Sequence, residues 1–350
     1  MLLLTDRCQD EGRIKRDLGL VRRCRVVTPH APFRRGADHA LIVSDLRLDN
    51  FVQVSLLRSA LSQYRQSGQP FLCLLHEVTH RALQQANALG ATAVLPIDAS
   101  REQLVSTALR LLQEAGASGA GMACDDTREL AARAGLVLVE MMDAVRDGHP
   151  LDKRLLLEGA EFVLEAIQSA GVRQWLDLVL QHDDNTYQHC LLVAGFAAAV
   201  SVSLGFHSKD RGRVTGAALL HDIGKALIPQ AILNKPSRLS SEEMAVVRTH
   251  TQIGYDMLKG QDTLDDELRS AVRNHHEFLD GTGYPSGLRG DQIPDLIRLL
   301  TICDIGSALI ERRPYKSPLS VPDAIAEMRR MNGKLDHDIL DEFQKAVFVG

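Results

Sequence analysis

The sequence predicts an α/β domain over residues 1–115, a linker with connector helices over 116–174, and an all-α helical domain over 175–350. Three observations lead there. The first part alternates short apolar runs with helical patterns, which is the order of a parallel sheet with crossover helices. A stretch rich in Gly, Ala and Ser, "EAGASGAGMACDDTRE" at 114–129, then interrupts the periodicity. Beyond residue 175 the pattern is almost wholly helical, and the polar residues that break it are of one chemical kind. The bulk numbers agree: 350 residues exceed one typical domain of about 150. With 45% hydrophobic, 24% charged and only 4% aromatic residues, helices packed through Leu, Ala and Val are expected. A formal charge of -5 argues against broad nonspecific binding to DNA, while leaving room for a local basic pocket. The six cysteines are scattered, with no C-x-x-C pair, which fits a reducing compartment. The opening "MLLLTDRCQDEGRIKR" is too short in its apolar run for a signal peptide, and no stretch of about 18 uncharged apolar residues is evident. The expectation is a cytoplasmic protein without a membrane span.

In the first domain, "MLLLT", "ALIVSD", "FLCLL" and "TAVLPI" are strand candidates, separated by helical patterns such as "FVQVSLLRSALSQYRQSG". In order and size the segment resembles a response-regulator receiver domain. That resemblance implies acids at the carboxyl ends of the first and third strands, where Asp6 and Asp45 stand, with Asp45 at the phosphoacceptor position. Two departures make it degenerate. His76, in "LLHE", stands where the receiver family has Ser or Thr, and "VLPIDAS" stands where it has a lysine followed by proline. The expected role is therefore docking of a protein partner or dimerisation rather than phosphorylation. The next two segments, "RELAARAGLVLVEMMDAVRDG" and "LDKRLLLEGAEFVLEAIQSAG", have apolar residues at helical spacing, with Leu155, Leu156, Phe162, Val163 and Ile167 directed to a core. They predict a helical connector or the surface of a homodimer.

In the helical domain, His189, His221 with Asp222, His250, His275 with His276, and Asp304 recur at intervals of 25 to 32 residues. That interval is a helix plus a loop in an antiparallel bundle, so each group can project inward from its own helix. Charged and imidazole groups amid leucines are costly unless paired or metal-bound. Imidazole and carboxylate are transition-metal ligands, and seven exceed the needs of one ion. The set divides into His189, His221 and Asp304 for one ion, His250, His275 and His276 for another, and Asp222 as the bridge. Two ions about 3.5–4 Å apart can activate a water and brace a phosphorus under in-line attack, which is the chemistry of phosphoester hydrolysis. No Ser or Cys nucleophile with a histidine base suggests a covalent route instead.

The strings "HDIGK", "HHEFLDGTGYP" and "RPYKSPLS", in this order and spacing, resemble the HD-GYP phosphodiesterases of the HD superfamily over roughly residues 180–345. The resemblance implies an HD-type helical bundle with a bi- or trinuclear centre. Iron or manganese would be the metal, with Ni, Zn or Co as alternatives. It implies opening of cyclic di-GMP to linear pGpG, and in some members onward to GMP. Lys225 would then lie by the scissile phosphate, where a compact cation suits developing phosphoryl charge. Gly281 and Gly283 would permit turns of the "DGTGYP" loop, and Tyr284 and Pro285 would shape the pocket. Arg313 and Lys316 match ligand-contacting positions, an arginine being able to grip a phosphate or guanine edge with two donors. Two departures matter here too. Asn185 stands where some members place a glutamate that completes a third metal site, which favours two metals and pGpG as product. Ser307 replaces the aspartate usual three residues after Asp304, which predicts a looser surround for that ligand. Two alternatives remain open at this point: a weakly active or inactive protein that binds cyclic di-GMP to control a partner, and an HD hydrolase of another cyclic dinucleotide.

Overall fold

A computed structural model describes residues 1–6, 12–29, 39–48, 51–66, 68–116, 122–181, 185–235, 237–259, 265–311 and 317–349. The chain divides into two compact units, one built on Met1–Ala132 and the other on Arg133–Leu180 with Asn185–Gly350.

The first unit holds a five-stranded sheet in the order β2-β1-β3-β4-β5, every neighbouring pair parallel. Its elements in chain order are β1 (Leu2–Leu4), α1 (Arg13–Gly19), β2 (Arg25–Val27), β3 (Ile42–Ser44), α2 (Phe51–Tyr64), β4 (Phe71–Leu75), α3 (His80–Ala88), β5 (Ala93–Pro96) and α4 (Arg101–Gly116). The strands β1, β3 and β4, apolar apart from Ser44, are buried at every position, as strands covered on both faces must be. Leu2, Leu4, Ile42, Phe71 and Leu75 form one core with Val54, Leu57 and Leu61 of α2. The strand β2 adds an element that the four apolar runs did not announce. It has three residues at the sheet edge and opens on the exposed Arg25.

The second unit is helical. It contains α5 (Met122–Arg146), whose first turns belong to the other unit, then α6 (Lys153–Val179), α7 (Asn185–Ser203) and α8 (Ser208–Leu220). A 3-10 turn at Ile223–Leu227 leads to α9 (Gln230–Leu233), α10 (Ser241–Arg248), α11 (His250–Leu258) and α12 (Asp266–Asn274). Past a second 3-10 turn at Gly290–Gln292 come α13 (Asp295–Ile310), α14 (Val321–Arg329) and α15 (His337–Val349). Two features revise the expected connector. The helix α5 begins at Met122, inside the Gly/Ala/Ser-rich stretch, because Met, Ala and the acids that follow are good formers of a helix start. The helix α6 packs along α7 and α8 as part of the body, burying Leu156, Val163, Ile167 and Trp175.

The centre of this unit is α7. By length and composition Thr186–Ser203 could cross a membrane, but 83% of it is buried by α6, α8, α13 and α15. Trp175 is fully buried, and its indole Nε1 donates to the Leu191 carbonyl at 3.0 Å. A Cβ at Gly195 would lie 2.2 Å from that nitrogen, so glycine is what lets α6 close on α7. At the far side Phe196 meets Phe343 edge to face at 4.9 Å.

Candidate metal centre

Helix ends place most of the site. His221 follows the last residue of α8, His250 follows the end of α10, and His275 follows the last residue of α12. The last carbonyls of a helix lack backbone partners, and each of these imidazoles uses one. Nδ1 contacts the carbonyl three residues earlier: Ala218 at 2.6 Å, Val247 at 2.7 Å and Val272 at 2.9 Å. A carbonyl only accepts, so Nδ1 is the donor in all three, and each Nε2 lone pair is turned to the centre. His189 in α7 and Asp304 in α13 face them, and all five side chains are buried.

The Asp222 carboxylate divides this set. Its Oδ2 lies 3.3 Å from His221 Nε2 and 3.6 Å from His189 Nε2, while its Oδ1 lies 3.1 Å from His250 Nε2 and 3.9 Å from His275 Nε2. Asp304 closes the outer side, with Oδ1 at 3.0 Å from His189 Nε2 and Oδ2 at 3.3 Å from His276 Nδ1. Within each half two imidazole Nε2 atoms approach to 3.3 Å, His189 to His221 and His250 to His275. Lone pairs face one another at that distance only if a shared cation or proton lies between them. The donor set therefore fits divalent metal in two groups: His189, His221 and Asp304, and Asp222, His250, His275 and His276. Cys190 is a third neighbour of His221 and Asp222 that the sequence reading gave no role.

The carboxylates make the centre a site for positive charge. Burial would depress a His189 imidazolium, but Glu311 and Asp304 outweigh it and raise its pKa to about 10, so that metal binding there must displace a proton. Burial would likewise raise Asp222, yet Lys225 and His221 pull it well below the usual carboxylate range. His275 is driven well below its ordinary value by burial and by the neighbouring imidazoles, so it is neutral and able to ligate. The Lys225 ammonium donates to Asp222 Oδ2 at 2.5 Å and remains partly exposed.

The "DGTGYP" loop closes over His276. Tyr284 stacks on that ring at 4.7 Å, and the exposed Arg248 guanidinium lies 4.9 Å above the Tyr284 ring. Gly281 takes a positive φ of 76°, as a turn glycine does. Gly283 acts differently from expectation, by close approach: a Cβ there would lie 2.5 Å from the backbone of His276, Glu277 and Phe278. Pro285 is exposed and follows a cis peptide bond. Glu277 is buried and accepts from the amides of Ser286, Gly287 and Leu288 at 2.6, 3.0 and 3.0 Å. Its place beside the histidine pair was the available signal. Glu311, 3.0 Å from His189 Nδ1, was also missed, although seven residues from Asp304 means two turns along one helix face.

Arg313 and Lys316 lie outside the described residues, as does the side chain of Asn185. In the first unit Asp6 is exposed just after β1. Asp45 is buried just after β3, with the His76 ring 2.5 Å from its backbone carbonyl.

An HD-domain family profile matches residues 172–339. The chain is 33% identical over 319 residues to a cyclic di-GMP phosphodiesterase of Pseudomonas aeruginosa, covering 88% of this chain and 76% of that one. It is 32% identical over 212 residues to a cyclic di-GMP phosphodiesterase response regulator of Xanthomonas campestris, covering 59% and 56%. It is also 32% identical over 214 residues to a 3'3'-cGAMP-specific phosphodiesterase of Vibrio cholerae, covering 61% and 45%. The chain thus spans about three quarters of the first relative's length and about half of the other two. An HDG"Y"P protein of Bdellovibrio bacteriovorus shares the fold, with a TM-score of 0.54 at 16% identity over 72% of this chain and 87% of that one.

Proposed function

Since the chain belongs to the HD-GYP family of cyclic di-GMP phosphodiesterases, within the HD-domain proteins, we propose that its helical unit hydrolyses cyclic di-GMP to linear pGpG at the His/Asp centre. The observation that carries this reading is the division of four imidazoles by the two oxygens of one buried carboxylate, Asp222. His189, His221 and Asp304 would hold one divalent cation, His250, His275 and His276 a second, with Asp222 shared. Iron or manganese suits these nitrogen and oxygen donors, and an amide at Asn185 speaks against a third ion. Bound there, the cations supply Lewis acidity toward the phosphoryl oxygens and lower the pKa of a water for attack on phosphorus.

The chain's own groups do the rest. The helix-end carbonyls hold three imidazoles in one tautomer, so the acceptor nitrogens are aligned before substrate arrives. Lys225, held by Asp222 at the accessible edge, stabilises charge on the phosphoryl group as the P–O bond to the 3′ oxygen breaks. Tyr284, packed on His276, and the Arg248 guanidinium over its ring would form one wall of the pocket, with Arg248, Arg313 and Lys316 as cationic donors to the substrate. The sheet order 2-1-3-4-5 and the place of Asp45 after the third strand support a receiver-like N-terminal unit. The burial of Asp45 and the presence of His76 beside it favour docking of a protein partner or a second copy over phosphorylation. A cytoplasmic site of action suits this substrate, and the formal charge of -5 argues against direct binding to DNA.

The full chain, loaded anaerobically with Fe(II) or Mn(II), is incubated with cyclic di-GMP or 3'3'-cGAMP, and products are separated by chromatography beside metal counting. Linear pGpG with about two metals per chain is expected, and Asp222→Ala should abolish it. Tight binding without turnover would replace the enzyme reading by a receptor. Turnover of 3'3'-cGAMP alone would replace the substrate, an outcome given weight by the relative of that specificity at similar identity.

A further inference from the structure

Of the four buried histidines in the centre, three are oriented by their own helix ends and one is not. His189 sits in the first turns of α7, where the backbone carbonyls are taken up by the helix itself. Its Nδ1 instead meets Glu311 Oε2 at 3.0 Å, a contact across 122 residues. Glu311 is buried, caps the C-terminus of α13, and is fixed there by its amide, which donates to the Ser307 carbonyl at 3.0 Å. The Ser307 hydroxyl, one turn earlier, is buried with no hydrogen-bond partner among the described residues, so α13 addresses His189 through Asp304 and Glu311.

A carboxylate is a stronger acceptor than a carbonyl. It draws the Nδ1 proton and raises the basicity of Nε2, and partners of this kind change metal affinity by about 10–100-fold. It also brings a negative charge directly onto a ligand imidazole, whereas the buried Glu277 beside His276 turns its carboxylate to three loop amides. The His189–His221–Asp304 half has Glu311 behind it, whereas His250 and His275 have neutral carbonyls behind them. Lys225 opposes this on the Asp222 Oδ2 side, but its ammonium is partly exposed and on a flexible stem, while Glu311 is enclosed.

We propose that Glu311 is a positioning residue for His189 and that it makes the two halves of the centre unequal, the His189 half holding its cation the more tightly. This rests on the two-metal reading above. One cation is then resident, and the one on the His250 side exchanges with the surroundings, so that activity follows free metal through that half.

The test is metal release from the full chain loaded with Mn(II), followed after addition of excess chelator. The wild type should release two ions in separate phases, about 10–100-fold apart in rate. In Glu311→Gln, which keeps shape and an acceptor but removes the charge, the slow phase should accelerate by about that factor while the fast phase stays. Glu311→Asp, which keeps the charge, should restore much of the slow phase and covers the event that the glutamine variant does not fold. In a background of His189→Ala, Glu311→Gln should add nothing. A single release phase in the wild type, or an unchanged slow phase in Glu311→Gln, overturns the inference while leaving the two-metal reading intact. A wild type that binds no Mn(II) overturns both.

Discussion

Gly224, inside "HDIGK", is where the fold brings the 3-10 turn against the start of α11, and replacing it by alanine tests whether that approach builds the site. A Cβ at this position would lie 2.0 Å from the His250 carbonyl oxygen, 2.7 Å from Gly254 N and 2.9 Å from His250 C. All three are backbone atoms, so no side chain can swing aside. Reaching even a tight 3.0 Å contact requires the turn and α11 to separate by about 1 Å, and that movement acts directly on the 3.1 Å approach of His250 Nε2 to Asp222 Oδ1. Overpacking of this kind costs about 1–3 kcal/mol, and a 1 Å displacement of a reacting group costs on the order of 10²-fold in rate. Gly216→Ala is the control: its Cβ meets only Leu156, at 3.5 Å, in the middle of α8. There alanine should stabilise by about 0.5–1 kcal/mol. Turnover of cyclic di-GMP, metal content and thermal midpoint are measured for both variants. If Gly224→Ala keeps more than about a third of wild-type turnover with full metal, the approach of the turn to His250 does not set the geometry.

Other expectations follow from single contacts. Glu277→Gln removes the charge that three loop amides share, and charged hydrogen bonds contribute about 1.5–3 kcal/mol each; KM for cyclic di-GMP should rise while metal content holds, and a change confined to kcat would refute a role in shaping the loop. Lys225→Met should lower kcat by about 10²-fold with little change in KM, read from initial rates, because its cation is needed as phosphoryl charge develops; equal loss in binding would make it a ground-state contact. For pH, Asp265 caps α12 through the Leu268 amide at 2.8 Å and pairs with Arg213 at 3.0 Å. Burial would raise its pKa, but the Leu268 amide and the Arg213 guanidinium hold it below the ordinary carboxylate value. A depressed acid stabilises the fold above its unfolded pKa and loses that contribution as the pH falls through the folded one. Asp265→Asn keeps a capping oxygen, so its urea midpoint should fall behind the wild type at pH 7 and converge with it as the pH falls below the ordinary carboxylate value of 3.8 and through the lowered one; a gap independent of pH would exclude the carboxylate as its source.

The sheet was legible in the sequence because strands buried on both faces read as apolar runs, as β1 and β4 do throughout and β3 does up to Ser44. The strand β2 was not legible, since three residues at an edge, opening on an exposed arginine, carry too little pattern. The seven His and Asp groups stood out by type and spacing, although His221, Asp222, His275 and His276 lie just past helix ends and not inside apolar helices. Glu277 and Glu311 did not stand out. The first acts on amides nine to eleven residues downstream, which become neighbours only when the loop folds back. The second ends a helix and precedes two arginines, the pattern of a solvated terminus, and only the crossing of α7 and α13 makes it a partner of His189.

The placement of histidines at helix ends has a consequence beyond tautomer control. The C-termini of α8 and α12 end at the centre, since His221 and His275 follow them directly, whereas His250 is the first residue of α11, whose N-terminal amides offset the end of α10. Each terminus carries about half a negative charge, and a cation there gains about 0.3–1 kcal/mol per helix, or more when the site is buried. Two such ends favour bound divalent metal over an empty centre and favour a positive Lys225 beside it, although that lysine would otherwise be repelled by the ions. The same ends disfavour an approaching phosphodiester, which is negative. Substrate entry must therefore rely on metal charge and on a cation at the rim, Arg248 among the described residues, since the Lys225 charge is already engaged by Asp222. It follows that loss of metal should weaken substrate binding as well as turnover, because the protein's own backbone repels the ligand once the cations are gone.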